Sequence, residues 1–288
     1  MSPWPSDTLL LWTLRACAAL SAAIVVVIGA FVVVEALPAL QTVGVARFFA
    51  DPSWHPSGGP VAGRFNLVPI ALGSILATAG AIAVAAPLGL ASALFSRFYA
   101  PPMVALLYRR LIELLAGIPS VVYGFWGLVV LAPLIRAWQP PGQSLLAGMG
   151  ILALMVLPTI ALLADAGLRA VPRASLQGAA ALGLSRWASI RGVALPAARG
   201  ASVTAIVLAI GRAFGETMAV LMVSGNVVQV PGSVFDPVRV LTANIALELG
   251  YALGHHRSAL FVSGLLLMSV TVLLVAAAHR AGAEQRHA

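Results

Sequence analysis

The sequence predicts an all-α integral membrane protein with six transmembrane helices. Of its 288 residues, 60% are hydrophobic and only 9% are charged, where a soluble globular domain carries about 25% charged residues. Mean hydropathy is +0.99. Charge-free windows recur at 16–34, 65–96, 114–135, 137–164 and 258–278, with a sixth, largely apolar run at 200–235. A helix needs roughly 20 apolar residues to cross the hydrocarbon core, so each window holds one span.

The first window exceeds the apolar core of about 7 to 15 residues typical of a cleaved signal sequence, and it reads as a retained helix. Windows 65–96 and 137–164 exceed one crossing but cannot hold two, so extra turns, tilt or interfacial segments are expected there. Cys17 is the single cysteine, which excludes an internal disulfide or a multi-cysteine metal site. All 17 basic residues are arginine. A Walker A loop needs a lysine after its glycines, so any ATP hydrolysis must reside on another polypeptide.

With six spans, the arginines sort onto two sides. Arg15, Arg97, Arg109, Arg110, Arg169, Arg173, Arg186, Arg191, Arg199, Arg280 and Arg286 outnumber Arg47, Arg64, Arg136, Arg239 and Arg257, and the positive-inside rule makes the first side cytoplasmic. The expected organisation is a short cytoplasmic N-terminus (1–15), a membrane domain (16–280) and a cytoplasmic tail (281–288). Cytoplasmic loop 169–200 and outer loop 226–257 belong to the membrane domain. The net charge of +8 then reflects topology and contact with anionic membrane lipid, with no nucleic-acid partner.

Outer segment 38–64 reads as a Pro- and Gly-rich loop. In 226–257, Ile245, Leu249 and Ala252, with Leu241, Ala246 and Leu253 on a broader face, predict a short helix lying at the outer surface. The adjacent His255 and His256 lack ligand spacing, and no metal site is expected.

Loop 169–200 is bracketed by Pro172 and Pro196. Ser175 is a candidate cap for a helix beginning immediately after it. Gly183 breaks that helix, and a second follows with Leu184, Trp187, Ile190 and Ala194 on one side. Physics alone leaves two readings open: an amphipathic interfacial anchor, or a docking element.

Arg212 and Glu216 lie inside the sixth run. Counting from residue 200, Arg212 falls about 18 Å along a helix, near the middle of a core roughly 30 Å thick. A charge there costs about 2.5–3.5 kcal/mol on insertion scales. The two share a helical face at i, i+4 and can partly neutralise each other. Gly211 and Gly215 form a GxxxG face suited to close helix approach. An ion pair that only locks helix packing is one reading; a wet pathway for an anion is the other, since a guanidinium presents forked donors to oxyanions. Thr217 adds a hydroxyl, as do Ser120 and Tyr123 after Pro119, where a mid-helix kink is expected. Glu113 and Asp165, each near an arginine, read as interfacial ion pairs.

The order Gln177, Gly178, Ala179, then Gly183, then Val193 to Leu195 and Pro196 resembles the EAA loop of ABC importer permeases. The family pattern has Glu where this chain has Gln177 and Ala where it has Gly178. Further stretches, LLAGIPSVVYGFWGLVVLAPLI, GRAFGETMAVLMVSGN and FDPVRVLTANIALELG, are similar to the C-type permease branch of phosphate ABC importers. The resemblance implies a type I importer fold with a cytoplasmic coupling helix carrying Gln177, Gly178, Ala179, Gly183, Leu195 and Pro196. It implies a second, A-type permease, two copies of an ATP-binding subunit and an extracytoplasmic phosphate-binding protein. No cofactor on this chain is implied, since ATP is used by the partner subunit. It also implies roles in phosphate passage for Arg212 and Glu216, and an entrance or partner contact for Thr242 and Asn244. Importers of another oxyanion, sulfate or molybdate, and an ion-coupled secondary carrier remain as alternatives.

Overall fold

The computed structural model describes residues 5–283. The expected tail beyond 283 and the first four residues of the N-terminus, with Arg286, lie outside the described residues. Among the described residues, four helices are long and apolar enough to cross a membrane, and the number rises to six if each of two sharply bent helix pairs counts as one span.

The described residues divide into two compact groups, one within 5–66 with 248–266, the other within 67–247 with 267–283. The first begins with α1 (Pro5–Thr42), whose apolar residues over 9–34 are exposed on every side, as in Leu20, Val26 and Phe31, while Ala36 and Ala39 near its end are buried. A helix apolar on every side is matched to lipid or a partner helix rather than to water. Segment 38–64 is not a plain loop. It folds into the helical turn Arg47–Ala50 and a two-stranded hairpin, β1 (Trp54–His55) with β2 (Arg64–Phe65). Phe48, Trp54 and Phe65 are its buried anchors, which a count of prolines and glycines does not reveal. Asp51 fastens it, accepting from the Phe65 N–H (2.9 Å) and pairing with Arg47 (3.0 Å).

The second group is built on α2 (Val68–Tyr99) and α5 (Leu145–Arg169). Between them the chain forms α3 (Pro102–Gly117) and α4 (Ser120–Arg136), bent by 92°. The bend sits at Ile118 and Pro119, whose ψ values of 129° and 141° are extended. The sequence predicted a kinked span over 114–135; α3 is instead a separate amphipathic helix, because proline disfavours a helical residue before it.

α2 and α5 approach closely through small residues, as membrane helices do in place of a hydrophobic driving force. Gly89 faces Ile160, whose Cβ lies 2.9 Å from where a glycine Cβ would stand. Ala77, Ala81 and Ala85 line the same seam and are fully buried. The surplus length of window 137–164 is a turn before Ser144, whose hydroxyl caps α5 by accepting from the Ala147 N–H (3.3 Å).

After α5 come α6 (Arg173–Ala181) and α7 (Arg186–Ala197), then α8 (Arg199–Phe214), bent by 67° from α7. Ser175 is no cap: α6 starts two residues earlier, with Pro172 at the N-cap position. Ser185 does cap α7, accepting from the Ala188 N–H at 3.2 Å. The short α9 (Met218–Val223) and α10 (Leu241–Glu248) follow, and α11 (Gly254–Ala283) ends the described chain.

α10 differs from the expected surface helix. Leu241, Thr242, Ala243 and Asn244 are buried, and the helix ends before Leu249, Ala252 and Leu253. Its first turn is anchored inside the bundle, where the Leu241 N–H donates to Ser74 Oγ (2.8 Å). The segment leading into it closes one end of α5: the N–H groups of Ser144, Leu145 and Leu146 donate to the carbonyls of Val223, Asp236 and Val234. Those are the donors a helix start leaves unpaired, and their satisfaction explains why 224–241 packs inward.

Candidate translocation surface and coupling element

The sixth run is not one helix. α8 stops at Phe214, Gly215 closes it by donating to the Gly211 carbonyl (3.1 Å), and α9 starts only at Met218. Arg212 therefore stands in the last turn of α8, and Glu216 lies in the break. At 16 residues, α8 is about 24 Å long, shorter than a full crossing of about 30 Å.

The expected shared face for Arg212 and Glu216 is lost with the helix. Among the described residues no ion pair joins them. The Arg212 guanidinium is exposed and donates to Thr159 Oγ1 on α5 (3.3 Å). Glu216 turns to backbone instead: its carboxylate accepts from the Ala219 N–H (3.2 Å), capping α9, and its carbonyl accepts from the Thr242 hydroxyl (2.7 Å). A small interior cavity of about 10 Å³ is lined by Glu216 with Ser74 and Thr78, which is about the room one water needs. Thr217 hydrogen-bonds its own turn at the Gly215 carbonyl (3.3 Å).

The GxxxG expectation also fails within this chain. A Cβ at Gly211 would meet nothing within 4 Å, and one at Gly215 would meet only the Gly211 carbonyl. Around the break, the glycines that bring helices together are Gly124, whose added Cβ would stand 2.8 Å from Ala219 Cα, and Gly127, facing Ile151 and Val223. They clamp α4 onto α9, so the segment after the break is held while the glycine face beside Arg212 is left open.

Tyr123 is buried and its hydroxyl spans the α3–α4 bend to the Leu115 carbonyl (2.8 Å). It satisfies an acceptor that the bend releases. Ser120 stands in the first turn of α4, half-buried. Thr242 and Asn244 are inside the bundle rather than at an outer contact; Asn244 Oδ1 accepts from Arg239 (3.2 Å). Thr159 was missed by the sequence reading, although the polar Thr after Pro158 within an apolar span was the available signal. Asp165 is a buried hub rather than an interfacial pair, contacted by Arg169 (2.8 Å) and by Arg109 from α3 (3.6 Å).

In the 173–197 element, Gln177 and Gly178 are exposed and Ala179 is buried. Gly183 supplies the turn with φ +71°, in the left-handed region that costs other L-residues about 1–2 kcal/mol. Of the expected α7 face, Ile190 and Ala194 are buried, whereas Leu184 and Trp187 remain exposed. Leu182 projects beside the turn at 81% exposure. Leu195 and Pro196 form the last turn of α7, next to the bend at Ala198.

Residues 85–282 match the family of binding-protein-dependent transport system inner membrane components. The chain belongs to that family. It is 38% identical over 266 residues to the probable ABC transporter permease protein YqgH of Bacillus subtilis, covering 90% of this chain and 85% of that one. It is 35% identical over 262 residues to the phosphate transport system permease protein PstC of Mesorhizobium japonicum, covering 83% and 79%. Among solved structures, an inward-facing MetNI methionine ABC transporter superposes with a TM-score of 0.59 at 18% identity, covering 76% of this chain and 94% of that one. At that identity the likeness shows the fold. The chain is thus an ABC importer permease subunit, a multi-pass inner-membrane component that works with an ATPase and a substrate-binding protein.

Proposed function

We propose that this permease forms half of the translocation pathway of an ATP-driven importer of inorganic phosphate. The observation that carries the reading is Arg212: a permanently charged guanidinium, exposed at the end of a short helix, beside a glycine face with nothing packed on it. Such a group gives a passing oxyanion forked donors. Thr159 and, across the break, Thr217 add neutral hydroxyls. The anion's identity is supported by relatives 31–35% identical that are named phosphate transport system permease proteins.

In this reading phosphate moves intact. A phosphate-binding protein delivers it from outside, and a second, A-type permease packs against the open face of α8. ATP closes two copies of the ATP-binding subunit, and their motion reaches α8 through Gln177, Gly178, Ala179, Gly183, Leu195 and Pro196. The 67° bend at Ala198 is the lever between that element and Arg212. Both termini are cytoplasmic. Glu216 fixes the break in which the pathway runs rather than competing for Arg212.

Binding-protein-dependent uptake of labelled phosphate into vesicles tests this, with and without the ATPase subunit. Uptake should require ATP and survive an uncoupler, and excess sulfate or molybdate should not compete. Competition by either anion would reassign the substrate, and uptake without the ATPase would make the chain an ion-coupled carrier.

A further inference from the structure

A cavity of about 650 Å³ lies among the end of α2, helix α3 and the end of α5. Its wall carries four guanidinium groups, Arg97, Arg109, Arg110 and Arg169, against one carboxylate, Glu113. Arg109 and Arg110 share Glu113 (3.0 and 3.1 Å), and Arg109 and Arg169 also share the buried Asp165. Four cations thus face two carboxylates, which leaves two positive charges over.

The imbalance is concentrated at Arg97. Among the described residues it has no ion pair, and its Nε is buried without an acceptor. Ser96 beside it is nine-tenths buried, and its Oγ likewise lacks a partner. Buried polar groups are rarely left so, because each forfeits the hydrogen bonds it had in water. The volume falls within the range of small-ligand sites and far exceeds one water.

α3 shows where the cavity sits. Val104, Leu107, Leu111 and Leu115 are exposed along one side of it, while Ala105, Arg109 and Glu113 line the cavity from the other. An amphipathic helix of this kind lies in the headgroup region with its apolar face toward the acyl chains.

We propose that this cavity binds a phosphate group, as an acidic phospholipid headgroup or as a free phosphate anion. Arg97 and Arg110 supply charge-assisted donors, and Ser96 supplies a hydroxyl. The occupant would brace the 173–197 element, since Phe98 in the same turn as Arg97 packs against the cluster of Val171, Ala194 and Ala198. The site is separate from Arg212 and does not depend on what is transported.

The test uses the full chain purified in a maltoside detergent, with binding read by native mass spectrometry. Phosphatidylglycerol and inorganic phosphate are added in separate titrations. The wild type should bind at least one. Arg97→Gln, which removes a cation without touching the Asp165 pairs, and Ala105→Phe, which fills the cavity while keeping its charges, should each weaken binding about tenfold or more. Binding of phosphatidylglycerol alone assigns the site to lipid; binding of phosphate alone assigns it to the free anion; both fit the shared chemistry. No binding by the wild type, or equal binding by the variants, overturns the proposal. If one variant does not yield monodisperse protein, the other decides.

Discussion

Arg212 and Glu216 are four residues apart and do not pair: the guanidinium reaches Thr159 at 3.3 Å, and the carboxylate caps α9 at the Ala219 N–H. The separation gives the two residues different mutational signatures. Arg212→Ala removes the exposed charge and should cut phosphate uptake at least tenfold while the complex assembles normally. Glu216→Gln keeps a cap acceptor and should retain uptake within about threefold. Glu216→Ala loses the cap, at about 0.5–2 kcal/mol, and should lower the unfolding temperature as well as uptake. Vesicle uptake and thermal unfolding in detergent read these together; a Glu216→Gln variant as dead as Arg212→Ala would show that the carboxylate charge itself takes part.

The glycines around the break should respond in opposite ways. Gly124→Ala forces a methyl onto the Ala219 backbone, and overpacking of this sort costs about 1–3 kcal/mol. Gly211→Ala meets open space in the isolated chain and should leave its thermal stability within about 1 kcal/mol of wild type. If the A-type permease packs on that face, Gly211→Ala should weaken co-purification of the two permeases. Unaltered assembly would leave the glycine face to the pathway.

These contrasts mark how far the sequence could be read. Hydropathy located the spans, because a charge-free run long enough to cross a bilayer has few other uses. The small residues seaming α2 to α5 follow from the same physics. The site was legible in its residue types but not in its geometry. Nothing in the order Arg, Ala, Phe, Gly, Glu, Thr fixes a helix end, since glycine is tolerated within membrane helices when neighbours satisfy the backbone. What decides it are distant partners, the Thr242 hydroxyl on the Glu216 carbonyl and the clamp of Gly124 on Ala219. Segment 226–247 was misplaced for the same reason: its inward packing is driven by the unpaired N–H groups at the start of α5, which local periodicity does not report.

Asp165 should prove a structural hub. Its side chain is 6% exposed and serves two arginines on different helices. Asp165→Asn leaves both with a weaker acceptor and should destabilise the chain by about 1–3 kcal/mol, toward the lower end because Arg109 and Arg169 are partly solvated. Thermal unfolding in detergent measures this, and an Arg169→Gln variant should recover part of the loss in Asp165→Asn by removing a stranded cation. Fully additive losses would mean that the residues do not act as a unit.

The folded 38–66 segment should depend on Trp54. Its indole is buried and donates to Glu248 (3.0 Å), which also contacts His256 at 2.8 Å. Trp54→Phe keeps the ring burial and loses one bond to a charged acceptor, at about 1.5–3 kcal/mol. Trp54→Ala adds a cavity, at about 3–5 kcal/mol in all. Limited proteolysis within 47–66 should therefore accelerate for both variants, and more strongly for the second. Equal protection of both would place the stability of this segment elsewhere.

Gly183 gives the sharpest test of the candidate coupling element, because it can be altered without touching the surface that would dock. A Cβ there meets no neighbour, so any effect of Gly183→Ala arises from its φ of +71° and amounts to about 1–2 kcal/mol of backbone strain. Relief of that strain would shift α6 against α7, the two helices that the 182–185 turn joins. If the element transmits the motion of an ATPase, uptake should fall several-fold with little change in the chain's abundance, and transport-dependent ATP hydrolysis should fall with it. Gln177→Glu, an exposed change that leaves the turn alone, should transport at least as well as wild type. A Gly183→Ala variant that transports normally would leave the exposed Trp187 and Leu182 as an interfacial anchor, and the drive would have to enter the bundle by another route.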